Sequence, residues 1–69
     1  MRVFSGKEVC DILILHGFEQ VRQKGSHVIM QKRTPNSTVT VPIPLHKELK
    51  VGTLRSIIRQ TGVDKKEFD

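Results

Sequence analysis

Apolar residues recur along this chain with two different periods, and the change from one to the other divides it into elements. Val9, Ile12, Leu13 and His16 fall at helical spacing, and Ile14 and Leu15 widen the stripe, so residues 5 to 16 predict an amphipathic helix. Both ends are marked. Ser5 followed three residues later by Glu8 is a capping box, and Phe4 stands where it can staple to Val9. Gly17 supplies left-handed backbone just past the end, which lets Phe18 fold back onto Leu13. From Phe18 to Gln23 the period becomes two, and beyond the turn residues Lys24-Gly25 it continues through residues 26 to 32. In that hairpin Val21, Val28 and Met30 are expected on the core side, with Gln20, Arg22, His27 and Ile29 on the other.

A polar loop, Arg33-Thr34-Pro35-Asn36-Ser37, leads to a third strand over residues 38–41, with Val39 and Val41 inward and Pro42 and Pro44 ending it. Residues 45 to 52 read as a basic connection anchored by Leu45, Leu49 and Val51. Leu54, Ile57 and Ile58 make the buried stripe of a second helix, and Arg55 and Arg59, four apart, project together from another side. Gly62 ends this helix and places Val63 against Ile58. Asp64 with Glu67 repeats the capping signal so late that only a frayed turn is expected. No internal repeat or low-complexity segment interrupts the order helix, three strands, helix. Both helices need the apolar face of the sheet, so the pattern predicts a two-layer α+β fold of order α-β-β-β-α, with residues 1–69 as one domain.

Length limits what such a fold can carry, since 69 residues bury a thin core and leave little room for a large cleft. The one cysteine, Cys10, has no intrachain partner and sits on an apolar helix, where a small buried hydrophobe is the commoner role than a nucleophile. There is no apolar run of the ~18 residues that a membrane span needs and no leader pattern, so the chain is expected to be cytoplasmic. Charge is more informative. The chain has 12 Lys and Arg against 7 Asp and Glu, and residues 20 to 60 hold eight of the basic residues but one acid, Glu48. A basic centre between near-neutral ends is the footprint of a polyanion partner, although a merely solvated surface has the same composition.

The stretch Gln23-Lys24-Gly25-Ser26-His27 carries the candidate chemistry. It delivers an imidazole to the rim of a hairpin with Arg22 and Lys24 beside it, and a histidine, with a reference pKa of about 6.5, suits proton transfer near neutrality. RNA brings its own nucleophile in the 2′-hydroxyl, so cleavage needs in-line geometry, a group that moves protons and cations that offset charge on the phosphate. On pattern alone, a histidine that simply fixes the hairpin is the commoner case. His16 suits the helix C-terminus as a cap. His16, His27 and His46 lack ligand spacing and no acidic cluster accompanies them, so neither a metal nor another cofactor is implied. Ile29, apolar on an otherwise polar face, suggests that something docks there. Three classes remain open on these residues: a ribonuclease, a non-catalytic RNA-binding module, and a protein-interaction domain. With three phenylalanines as its only aromatics, the chain fits single-strand base stacking poorly.

The order of elements is that of double-stranded-RNA-binding domains, an analogy at the level of fold. A closer resemblance is carried by Gly17-Phe18, Arg22-Gln23-Lys24-Gly25-Ser26-His27, Thr38-Val39-Thr40-Val41-Pro42 and Gly52-Thr53-Leu54-Arg55-Ser56-Ile57-Ile58 with Gly62. Together these resemble the HicA-type (YcfA-like) toxins over residues 5 to 63. Those are small mRNA interferases of toxin–antitoxin systems, with a double-stranded-RNA-binding-domain-like fold, neutralised by a HicB-type antitoxin. The resemblance implies toxicity, growth arrest and metal-independent cleavage of mRNA, and it places the family's essential histidine on His27. Members often carry a second histidine directly after it, an aromatic where Met30 stands and a histidine between the two prolines. Here those positions are Val28, Met30 and Ile43, so His27 is the one histidine carried over as catalytic. Arg22, Lys24, Ser26 and Lys32 are the residues expected to contact RNA, with Arg55 and Arg59 either joining them or forming a solvated face. His27 and Ile29 are expected to lie under the antitoxin.

Overall fold

In the computed structural model, which describes residues 2–69, the order is α1 (Gly6–Leu15), β1 (Glu19–Lys24), β2 (His27–Arg33), β3 (Thr38–Pro44), α2 (Val51–Thr61) and a final 3₁₀ turn, Lys65–Phe68. This is the expected α-β-β-β-α arrangement. The capping box closes in both directions: the Glu8 N–H donates to Ser5 Oγ at 3.1 Å and the Ser5 N–H donates to Glu8 Oε1 at 2.9 Å. That backbone bond from Ser5, aided by Arg2, holds the exposed Glu8 carboxyl below its ordinary range. At the other end Phe18 N–H reaches the Leu13 carbonyl and Gly17 N–H that of Ile14, the two bonds of a Schellman motif, with Gly17 at φ +92. The apolar stripe of α1 is narrower than expected. Ile14 and Leu15 point to solvent, Leu15 being 83% exposed, because only Val9, Cys10 and Leu13 face the sheet squarely.

The sheet has strand order β1-β2-β3, antiparallel throughout. Lys24 pairs with His27 across a two-residue turn in which Gly25 has φ +59 and Ser26 does not adopt positive φ, the pattern of a type II′ hairpin. Val28, Met30, Val41 and Ile43 form the inner face and join Phe4, Val9, Leu13, Phe18, Leu54 and Ile57 in one core. Val21 departs from expectation. The register shifts between Gln20 and Arg22, so Val21 sits in a bulge and is left largely in water, while Gln20 pairs with Met30 and turns to the helix side. β3 also runs on through both prolines instead of stopping at Pro42. Ile43 and Val41 share the parity of Leu45, whose N–H donates to the Ser26 carbonyl, so the two proline nitrogens face the outer edge where no ladder bond is lost.

α2 begins at Val51, inside the stretch expected to be loop, and its N-cap Lys50 offers no side-chain bond. Leu54, Ile57 and Ile58 are buried as the pattern required, and Gly62 at φ +73 returns its N–H to the Ile58 carbonyl. Of the three anchors expected in the connection only Leu49 is buried; Leu45 and Val51 are exposed. The C-terminal turn is not frayed. Phe68 is fully buried edge-on against Phe4, 6.0 Å between ring centroids, and His16 Nε2 meets Glu67 Oε1 at 3.2 Å, so His16 ties this turn to the end of α1. Its cap bond goes from Lys66 N–H to the Asp64 carboxylate, one residue short of Glu67. Among the described residues no helix is long and apolar enough to cross a membrane.

Candidate functional site

Directly opposed residues of antiparallel strands share a face, about 4.5–5.5 Å apart at Cα. The register therefore builds two rows across the uncovered side of the sheet: Lys24, His27 and Pro44, then Arg22, Ile29 and Pro42. Unbroken pairing from the turn back to Arg22 places both cations on this face, and the bulge at Val21 changes the parity only of what precedes it, turning Gln20 inward. His27, Arg22 and Lys24 are all exposed, and Ile29 is half-buried between Arg22 and Pro42. The turn that aims His27 is held from below by the Leu45 N–H bond to the Ser26 carbonyl at 2.7 Å, and from the side by Gln23 Nε2 donating to the Gly25 carbonyl at 3.2 Å.

His27 also lines a groove of about 390 Å³ with Pro42 and Pro44 of β3 and with Gly52, Thr53, Ser56, Ile57 and Gln60 of α2. The hairpin turn and the Gly-Thr start of α2, far apart in sequence, thus meet at one site. The first N–H groups of α2 have no side-chain cap there, so the positive end of the helix dipole opens beside the imidazole. Neither Thr53, Ser56 and Gln60 nor the prolines were singled out from the sequence as site residues. The available signal was an uncharged polar stripe at spacings of three and four on α2, next to the more conspicuous arginines.

Not every candidate joins this constellation. Lys32 has the parity of Val28 and Met30 and lies on the helix side, its Nζ 5.8 Å from the Phe18 ring centroid, about five residues or ~16 Å along β2 from His27. Arg55 and Arg59 are exposed and are not among the residues that line the groove. Ser26 contributes its carbonyl to the turn, and its side chain faces solvent. His16 is engaged with Glu67, and His46 lines a separate groove between α1 and β1. Cys10 is buried, and desolvation pushes its thiol up, away from the reactive thiolate. Among the described residues no three His, Cys, Asp or Glu side chains stand together in a way that could hold a metal ion.

A family model described as the HicA toxin of bacterial toxin–antitoxin systems matches residues 6–63, a span that contains α1, the whole sheet and α2. No curated protein and no solved structure gives a significant match to the chain.

Proposed function

The chain belongs to the HicA toxin family of bacterial toxin–antitoxin systems, and from that premise we propose that it is a metal-independent mRNA endoribonuclease working through His27 and silenced by a HicB-type antitoxin. The observation that carries this reading is the pair of rows on the open sheet face. An imidazole flanked by Lys24 and adjoined by Arg22 offers a proton-transfer group and two cations to one phosphate, all three side chains being exposed among the described residues. In cleavage the attacking oxygen, whether the 2′-hydroxyl or a water, must lose a proton as its bond to phosphorus forms, and the departing 5′-oxygen must gain one. His27 takes or returns that proton. Lys24 and Arg22 neutralise charge that grows on the non-bridging oxygens. A single imidazole cannot act as acid and base at once, which makes this a slow nuclease.

Incubation of a long single-stranded RNA with the purified protein in excess EDTA tests the reading. Discrete cleavage products are expected, and RNA left intact with folded protein would remove the nuclease reading in favour of simple binding.

The antitoxin is proposed to cover His27 and Ile29. Ile29, Pro42 and Pro44 form an apolar strip bordered on the β1 side by Arg22 and Lys24, an apolar centre with a charged rim along one edge. Ile29→Ala should weaken the toxin–antitoxin complex by about five- to thirtyfold, read by calorimetry, as expected for truncating a side chain worth ~1–2 kcal/mol at an interface. A complex in which His27 and Ile29 both remain open to solvent would contradict the proposal.

A further inference from the structure

The groove beside His27 contains more than proton transfer requires. Its floor is the buried Ile57, one wall is Pro42 and Pro44, and the other is Thr53, Ser56 and Gln60, with no Lys, Arg, Asp or Glu among the lining residues. The cations lie instead in the sheet rows with His27 and Ile29. This partition matches the two halves of a nucleotide. Phosphates take cations, whereas a base wants flat apolar surfaces for its faces and uncharged donors and acceptors for its edges.

The polar wall is ordered for such a task. At about 100° per residue, Thr53, Ser56 and Gln60 fall within about 60° of one another around α2. Gln60 Nε2 donates to Ser56 Oγ at 3.0 Å, which fixes the amide plane and leaves Gln60 Oε1 as an acceptor, its second N–H as a donor, and the Ser56 hydroxyl hydrogen free. A carboxamide presenting donor and acceptor side by side pairs with a base edge in two bonds. The groove volume, about 390 Å³, lies at the small end of the ~300–1,000 Å³ that ligand pockets occupy, and so fits one base with part of its ribose.

We infer that this groove is a nucleobase subsite, which takes a single unpaired base of RNA against Pro42 and Pro44 and reads its edge with Gln60, Ser56 and Thr53. Its placement next to the scissile bond rests on the nuclease reading of His27; base recognition itself does not, and the test separates them. Fluorescently labelled oligonucleotides of A, of C and of U are titrated with the His27→Ala protein, which removes cleavage, and with the His27→Ala/Gln60→Leu protein. Gln60 is exposed and leucine is a good helix former, so the fold is retained.

The His27→Ala protein is expected to prefer one oligonucleotide by about tenfold or more. Gln60→Leu should reduce that spread to about twofold while the salt dependence of binding, which reports phosphate contacts, keeps its slope. Equal binding of all three oligonucleotides before the second change, or a preference that survives it, overturns the subsite. Loss of preference on Gln60→Leu in a protein whose wild type leaves RNA uncut would keep the subsite and remove the nuclease.

Discussion

Gly6→Ala is expected to destabilise the fold by about 3–5 kcal/mol, although alanine is the better helix former and would be favoured at this position in an isolated helix by roughly 0.5–1 kcal/mol. The sign is set by packing. A Cβ built on Gly6 overlaps the carbonyl oxygen of Pro44 and comes within 2.9 Å of Leu45 Cα, and these are backbone atoms that no rotamer change can move. Gly6 N–H donates to the His46 carbonyl at 2.9 Å, and Leu45 N–H donates to the Ser26 carbonyl at 2.7 Å, so the first turn of α1, the end of β3 and the hairpin turn are bound at one point. Relieving the overlap separates α1 from β3 and puts both bonds at risk, each worth about 1 kcal/mol net, on top of an overpacking cost of about 1–3 kcal/mol. Natural domains of this length have only ~3–10 kcal/mol in total. Urea denaturation followed by circular dichroism should therefore show a large fall in midpoint, and a midpoint equal to the wild type would mean that α1 does not approach β3 as described.

Gly6 also marks the boundary between what was legible in the sequence and what was not. Caps, the two glycine stops and the hairpin turn are local, governed by residues within four or five positions, and Ser5-Glu8, Gly17, Gly25 and Gly62 all act as their spacing implied. Contacts between distant segments leave no such trace. Nothing near Gly6 announces the Pro44 carbonyl, and nothing near Phe68 announces Phe4.

The sheet errors have the same origin. Period-two reading assumes an unbroken ladder, and one extra residue at Val21 reverses the parity of what precedes it, so Gln20 and Val21 exchange roles while Arg22 stays where alternation put it. Pro42 and Pro44 read as terminators because a proline in a central strand removes a ladder bond, but β3 is an edge strand and its proline nitrogens face outward. At the site, the row of Arg22, Lys24, His27 and Ile29 could be read from alternation alone. The α2 wall could not, since it depends on where a helix some 25 residues later comes to rest against β3.

The second large effect is expected at His27, where His27→Ala should lower the rate of RNA cleavage by about 10²–10⁴, the usual worth of a positioned general acid or base. The side chain is exposed, donates to and accepts from no other group among the described residues, and stands outside the core, so its removal leaves the stability of the fold nearly unchanged. Lys24→Ala, by comparison, removes a screened, exposed charge and should cost much less. The contrast separates chemistry from general attraction to RNA. A loss confined to binding would appear equally in both variants and would disappear at saturating RNA.

The most direct measurement is the single-turnover cleavage rate of a long single-stranded RNA at saturating protein in excess EDTA, wild type beside His27→Ala, with circular dichroism confirming that both are folded. If His27 carries the chemistry, the wild type cleaves and the variant is slower by at least about a hundredfold. Equal rates in the two proteins would contradict that role.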